Sequence, residues 1–453
     1  MENTTGKFLA GYAIKDITPD FSVPIGGFGT SWLRMSETVL DPLSLQCVAM
    51  TDEDGETLML YTYDNVKVRD ELYLGAQAHF EEKYGIDKAH FHINASHSES
   101  SPDTLAAPDK NPEMGPYNEF VIQQFIAAGE EALADRKPAK LEYGTTYTRN
   151  LNFVKHAFLD TGVAIGDNHG RPSDGRVLQH PSKVDNAMLA IKIRREDEAD
   201  VVLVNWRAHN QFTSGFKRHE LSADYVGAFR DAAKEKFGCN LMFFQGCAGN
   251  VNPYSYIRAE ERTRDYHEFG KFLAEHLYDI YDKMTPVEAG KIRAKQITVT
   301  ARTNNTYDEK LLEDCRRLVD LYKNGADRTT CLEESKKCGL YSIYQASAIL
   351  RNAGLPQTID YPVSVYAVGD LAFASAQFEI FDNLGKYVRE NSPFAHTFVM
   401  GFTDYASSYM PSAYAYEYGC YEAETSKLAI GSGERCAVIM LENLIHLKYH
   451  YGE

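Results

Sequence analysis

The sequence has no pair of cysteines at C-x-x-C spacing. Its eight cysteines, Cys47, Cys239, Cys247, Cys315, Cys331, Cys338, Cys420 and Cys436, are scattered over 453 residues. That scatter suggests neither a zinc ribbon nor a disulfide framework, so the thiols read as buried ones. Positive charge is scarce as well: 47 Lys and Arg face 64 Asp and Glu, a net charge of -17. A protein that grips a phosphate backbone needs a basic face, which argues against nucleic acid as a partner. The same balance disfavours stable association with an anionic membrane. No apolar run approaches the roughly 20 residues that span a bilayer. The stretch Met1 to Lys7 lacks the basic and apolar regions of a secretory signal, so the expectation is a cytoplasmic protein. There is no tandem repeat and no low-complexity linker. The glycine-rich turn Val23 to Gly29 does not lead into a helix, so a dinucleotide-binding loop is weakly supported.

What is present is the composition of a soluble globular protein, 44% hydrophobic and 25% charged. Thr57 to Asp64 reads as a buried strand, Glu71 to Tyr84 as a helix, and Phe91 to Ala95 as a strand again. Tyr117 to Arg136, Asp224 to Phe237, residues 255–284, Phe378 to Arg389 and Glu434 to Lys448 carry helical spacing. Strands fall at Ala139 to Phe153, Asp185 to Arg194, Ala199 to Trp206, Asn240 to Phe244, Gly290 to Arg302 and Phe394 to Thr403. Tyr361 to Ala376 reads as a hairpin about Gly369-Asp370. This alternation predicts an α/β fold: a layered mixed β-sheet core with flanking helices, in a single large domain over 1–453. Residues 306–354 form a helical insertion, with Leu311, Leu312, Cys315, Leu318, Val319 and Tyr322 on one face. His156 to Ser182 shows no period and reads as a long loop. With His156, Asp160, Asp167 and His169 it either shapes the polar end of a pocket or lies on the surface.

Five predicted strands give way to loops carrying unusual polar residues: Asp64; His97 with Glu99; His209; Asn250 with Asn252; Tyr405 with Tyr409. Glu379 follows a further strand, at the start of a helix. Ligands of open α/β sheets collect at strand ends, so these groups can converge on one cleft. Each also has an ordinary reading. His209 suits a satisfied core histidine, Glu379 a charge at a helix N-terminus, and Tyr409 a packed aromatic.

Taken in order, the motifs resemble the catalytic domain of the neutral/alkaline non-lysosomal ceramidase family. Asp16-Ile17-Thr18 and Gly26-Gly27-Phe28-Gly29 match its opening. Ser96-His97-Ser98-Glu99-Ser100 resembles its Thr-His-Thr-His-Ser segment, and Asn205-Trp206-Arg207-Ala208-His209 its Asn-Trp-Phe-x-x-His segment. Ala223-Asp224-Tyr225-Val226-Gly227 stands at its Ser-Asp-x-x-Gly. Cys247 to Pro253 resembles its Asn-x-Gly-Asp-x-Ser-Pro turn, Gln377-Phe378-Glu379 its Pro-Gly-Glu, and Gly401 to Ala423 its tyrosine loop, closed by Tyr421-Glu422-Ala423.

The resemblance implies one zinc ion held by His97, His209, Glu379 and Tyr409. Two imidazoles and a carboxylate form a catalytic type of set that leaves room for water, whose pKa falls from ~16 to about 7 on such an ion. It implies catalytic roles near Glu99, Asn252 and Tyr421, and substrate contacts from Asn152, Phe153, Asn250 and Tyr405. It also marks departures. Glu99 replaces the family's second histidine; it is either the general base, which is favoured, or an added oxygen ligand. Asn252 replaces a serine, so it cannot be a nucleophile but can donate to an oxyanion. Phe153 stands where the family has a substrate-holding arginine, for which Arg149 and Lys155 are the candidates to compensate. The family's secretory leader and C-terminal immunoglobulin-like domain are not in the sequence.

The expected function is zinc-dependent hydrolysis of an amide bond in a small, polar acylated substrate. An esterase or deacetylase would use the same atoms, carbohydrate chemistry is a third option, and a non-catalytic binding protein is the alternative of another class. With 29 Tyr and 23 Phe, a homo-oligomeric interface is compatible with the composition.

Overall fold

The computed structural model describes residues 7–27, 34–161, 164–166, 175–180, 182–215, 218–255, 264–340 and 342–451. Phe28, Gly29, Asp167 and His169, and the first turns expected of the 255–284 helix, lie outside them.

Alternation within the strands decides the layering. In Ser44–Thr51, Cys47 and Ala49 enter one core while Val48 and Met50 enter another. In Thr57–Tyr63, Met59 and Tyr61 go one way and Leu58 and Leu60 the other. Successive side chains of a strand point to opposite faces, so a sheet apolar on both must be covered on both. The result is four layers. A nine-stranded mixed sheet runs in the order 240–245, 201–206, 187–195, 137–147, 9–16, 44–51, 57–63, 91–95, with 285–287 paired to 137–147. A four-stranded sheet, 292–302, 358–368, 371–376 and 396–400, lies against one face. Leu58, Leu60, Leu189, Leu203 and Phe244 of the first meet Tyr366, Val368, Phe373 and Phe398 of the second in the central core.

Helices cover the outer faces. Asp70–Tyr84 and Met114–Ala134 close one half of the large sheet. Asp224–Phe237 and Tyr266–Tyr281 close the other half. Asp382–Asn391 and Ser432–Tyr449 close the small sheet. The layered α/β architecture expected from the sequence is the one observed. Residues 306–354 hold three helices, Glu309–Lys323, Arg328–Lys337 and Ile343–Ala353, around a small core of their own that includes Cys315 and Leu318. All eight cysteines are free thiols, and only Cys338 is not buried. No helix among the described residues is long and apolar enough to cross a membrane.

Two local expectations are corrected. The segment expected as a loop between His156 and Ser182 contains a three-stranded sheet of Ala157–Leu159, Ala164–Ile165 and Val177–Gln179. Its strands are too short to show a period. Glu379 does not begin a helix: it lies in the two-residue strand Glu379–Ile380, and the helix starts at Asp382. Parallel pairing with Tyr409–Met410 holds Glu379 extended.

The edge strands of the large sheet converge at their C-terminal ends. Asn94 donates to the Gln245 carbonyl, and the Gln245 amide donates to Asn94 Oδ1 at 2.6 Å. The loops after both strands therefore emerge side by side.

Candidate metal centre

Backbone hydrogen bonds lace five of these loops into a row. The Glu99 amide donates to the Asn210 carbonyl, and the His209 amide to that of Val251. The Gly249 amide donates to Ile380, and the Glu379 amide to Ser408. Position 249 needs glycine, because a Cβ there would stand 2.3 Å from the Glu379 carbonyl oxygen. His97 takes the left-handed conformation, φ 62°, that turns its ring in from the strand end.

The side chains then meet. His97 Nε2 and His209 Nε2 each lie 3.6 Å from Glu379 Oε2. Glu99 Oε1 is 4.0 Å from His97 Nε2. The ligand atoms of His97, Glu99 and His209 fall within 4.8 Å of one another, a group that can hold a metal ion. Both imidazoles have a fixed tautomer: Nδ1–H of His97 donates to the Val66 carbonyl at 2.8 Å, and that of His209 to Val251 at 3.1 Å. Each Nε2 is thereby left as an acceptor, as in metal-ligating histidines: that of His97 beside Glu379, and that of His209 also within 3.2 Å of the Lys155 ammonium, which an ion would displace. Glu379 Oε2 is buried and accepts no hydrogen bond, which is costly in the absence of a partner. Ligands bound at about 2.0–2.1 Å to one tetrahedral ion stand roughly 3.3 Å apart, so the donor set fits a single divalent ion.

The electrostatics favour the same forms. Burial lowers the His97 pKa to about 4 against the opposing pull of Glu379. Burial, with Lys155 and His97 beside it, holds His209 well below the usual range. Burial tends to raise the Glu379 pKa, but Lys67 and His97 outweigh it and keep the carboxyl below its ordinary value. Neutral imidazoles beside a carboxylate are what a divalent ion requires.

The other expected site residues are placed as follows. Tyr409 is in register with Glu379 across the parallel pair, and its ring lies 5.9 Å from that of Tyr421. Asn252 is fully buried, and neither polar atom of its side chain has a hydrogen-bond partner. Phe153 pairs with Asn252 across a short ladder. Asn250 and Asn152 are engaged elsewhere: Asn250 exchanges hydrogen bonds with Asp382, and Asn152 donates to the carbonyls of Asp185 and Arg207. Tyr405 packs on Tyr73 at 4.6 Å between ring centroids. Asp64, flagged as a strand-end carboxylate, turns to Arg230 in a bidentate pair at 2.8 and 2.6 Å.

Three further residues stand next to the cluster: Lys67, which had no role from sequence; Lys155, one of two cations in place of the family's arginine; and Glu422, seen only within the motif Tyr421-Glu422-Ala423. Lys67 binds Glu379 Oε1 at 2.9 Å and the Ser407 carbonyl. Lys155 Nζ lies 3.2 Å from His209 Nε2 and 3.3 Å from Glu422 Oε1. Glu422 also holds His156 Nε2 at 2.7 Å. Lys155 had a legible signal: it is two residues beyond Phe153, and extended chain puts i and i+2 on one face. Glu422 was visible only as the middle of Tyr421-Glu422-Ala423, and Lys67 had no signal. A groove of about 540 Å³, lined by Arg302 to Thr306 and Ala429 to Ser432 among others, shares no residue with the cluster.

No family model matches the sequence, and no curated protein matches it. Solved structures do match. Neutral ceramidase from Pseudomonas aeruginosa superposes with a TM-score of 0.72 at 15% identity, covering 98% of this chain and 75% of that one. A ceramidase complexed with C2 gives a TM-score of 0.71 at 16% identity, covering 98% and 76%. Matched over 98% of its length at these TM-scores, this protein has the fold of the neutral ceramidases.

Proposed function

We propose that the protein is a ceramidase-like, zinc-dependent hydrolase that cleaves the amide bond of a small, polar acylated substrate. The observation that carries this reading is the buried, unpartnered Glu379 Oε2 placed 3.6 Å from two imidazole nitrogens of fixed tautomer. His97, His209 and Glu379 would hold the ion, with Tyr409 as fourth ligand. The chemistry a zinc ion supplies there is acidification of water to about pKa 7 and polarisation of a carbonyl.

The chain's own groups do the rest. The Glu99 carboxylate accepts a proton from the attacking water as its oxygen bonds to the acyl carbon. The carbonyl π pair moves onto the acyl oxygen, toward which the Asn252 amide donates. On collapse the C–N bond breaks, and the proton held by Glu99 passes to the leaving nitrogen. Tyr421, beside Tyr409, belongs to the same wall. An ester would follow the same course with an alcohol leaving group.

The test is elemental analysis of the purified protein, joined to a screen of N-acyl and O-acyl compounds. The expected result is one zinc per chain, lost together with turnover in His97→Ala and Glu379→Ala. A protein without metal, whose turnover of every compound is indifferent to both changes, would be a binding protein instead.

A further inference from the structure

The turn after the strand Thr57–Tyr63 touches two of the candidate ligands through neighbouring residues. The Val66 carbonyl accepts the Nδ1–H of His97, and the Lys67 ammonium reaches Glu379 Oε1 at 2.9 Å. The turn is itself fixed. The Val66 amide donates to Ser101 Oγ at 3.1 Å, and the Asn65 side chain donates to the Pro102 carbonyl at 2.9 Å. Both contacts reach the loop that carries His97, so turn and loop are held together.

Lys67 makes the two oxygens of Glu379 unlike. Oε1 faces the ammonium. Oε2 is buried without a donor and stands 3.6 Å from Nε2 of both histidines. An ammonium free to choose would settle between two carboxylate oxygens. Here the Ser407 carbonyl accepts a second Lys67 N–H at 2.6 Å and draws Nζ to the Oε1 side. The Glu379 backbone cannot turn to compensate, because its amide is held by the Ser408 carbonyl and the residue pairs with Tyr409. Among the described residues, Glu379 is the one carboxylate that pairs with Lys67.

A carboxylate can give an ion one oxygen or two. With Oε1 committed to an ammonium, Oε2 is the oxygen on offer, which leaves room for water as a catalytic set must. The ammonium is also a like charge to any cation at Oε2. It opposes binding and draws on the charge that the carboxylate can donate, so a cation held there stays a stronger Lewis acid.

The geometry points to Lys67 as a positioning residue: it withholds Oε1 of Glu379, so that the site takes its ion through Oε2 alone and gives up metal affinity for turnover. This rests on the hydrolase reading above. An orienting partner of the ordinary kind strengthens metal binding, and its loss costs about 10–100-fold in affinity or activity. Lys67 differs in sign: its loss tightens the metal while it slows the reaction.

The experiment uses the full chain, stripped of metal and reloaded, with Lys67→Met and Lys67→Arg. The readouts are zinc affinity by competition with a chelating dye, the visible spectrum of the cobalt(II)-loaded protein, and kcat and KM on the best substrate of the screen. The cobalt-loaded parent is expected to show the strong absorption of four or five ligands. Lys67→Met is expected to bind zinc about threefold or more tightly and to show the weak absorption of six-coordinate cobalt, from two imidazoles, both oxygens of Glu379, Tyr409 and water. Its kcat should fall by about 30-fold, with KM within about threefold. Lys67→Arg keeps the charge and the donor, and should return spectrum, affinity and most of kcat to the parent's. The parent's own spectrum keeps the test decisive if the methionine variant does not fold: six-coordinate cobalt in the parent overturns the role of Lys67. So does weaker zinc binding, an unchanged kcat or a parent-like cobalt spectrum in Lys67→Met, and each of these leaves the hydrolase reading standing. A parent that binds neither zinc nor cobalt removes the metal reading, and the role of Lys67 with it.

Discussion

Two buried polar clusters flank the turn from Gly246 to Pro253, and they are built on opposite plans. On one side Asn250, Asp382, Asp185, Arg207, Arg389 and Asn152 are joined in one network, in which Arg389 Nε alone among these side chains' buried polar atoms has no partner. Asp382 exchanges hydrogen bonds with Asn250 and accepts the Asp185 amide, and Asp185 pairs with both arginines. On the other side His97, His209 and Glu379 leave Glu379 Oε2 without a partner, and Asn252, next in the chain to the Val251 carbonyl that holds His209, leaves both of its polar atoms without one. Both clusters are hidden from water, apart from Arg389, whose side chain is 15% exposed. A buried polar group costs free energy unless something pairs with it, so the first cluster is a clamp that joins two sheets, while the second awaits a partner from outside the chain. The sequence motifs put Asn250 and Asn252 in the same turn and could not tell which belonged to which.

The comparison can be broken at several points. The largest expected effect on turnover is Glu379→Ala, a loss of about 1000-fold or more, since metal polarisation is worth several kcal/mol. Thermal unfolding of the metal-free variant should shift little, because relief of the unpartnered Oε2 offsets the lost pair between Oε1 and Lys67. A fall in melting temperature with turnover intact would reverse the assignment of the two clusters. Asp382→Ala should do the opposite. Breaking a buried charged network costs about 3–5 kcal/mol, read by denaturant titration, with kcat per folded molecule changed far less.

Asn252→Ala should lower kcat by about 100-fold without loss of stability, the usual scale for one oxyanion donor. Asn250→Ala should instead cost about 1–3 kcal/mol of stability. If Asn250→Ala cost turnover and left the melting curve unmoved, Asn250 would be a substrate contact after all. The smallest effect is a pH limb. His97 has a folded-state pKa of about 4 against ~6.5 when unfolded. Between those values the unfolded chain binds a proton that the folded chain refuses, so stability present above pH 6.5 is lost as pH falls toward 4. Urea titrations at pH 7 and 5 should show this difference shrink in His97→Gln; an equal difference in parent and variant would show that His97 is not its source.

Much of the scaffold was legible because it is periodic. The helix from Asp224 to Phe237, capped by the left-handed Gly238, and the hairpin turning at Gly369-Asp370 have local causes. The strand ends named from sequence did come together at His97, Glu99, His209 and Glu379, because strand C-termini gather at one rim of a layered sheet. The state of Glu379 was misread because pairing with residues thirty positions later, not local propensity, makes it a strand. The short sheet after His156 was missed because two- and three-residue strands leave no pattern to read.

The sequence by itself determined the layers, since two-faced apolar alternation in Ser44–Thr51 and Thr57–Tyr63 demands cover on both sides, and it determined which residue types stand at the strand ends. Only the tertiary structure decided how those residues are used. Whether an asparagine is clamped or left waiting, and whether a lysine such as Lys155 meets Glu422, 267 positions away, depends on contacts between segments that share no local code. Propensity acts over a few residues, whereas the pairing of buried polar groups is settled only when the loops of different strands are packed together.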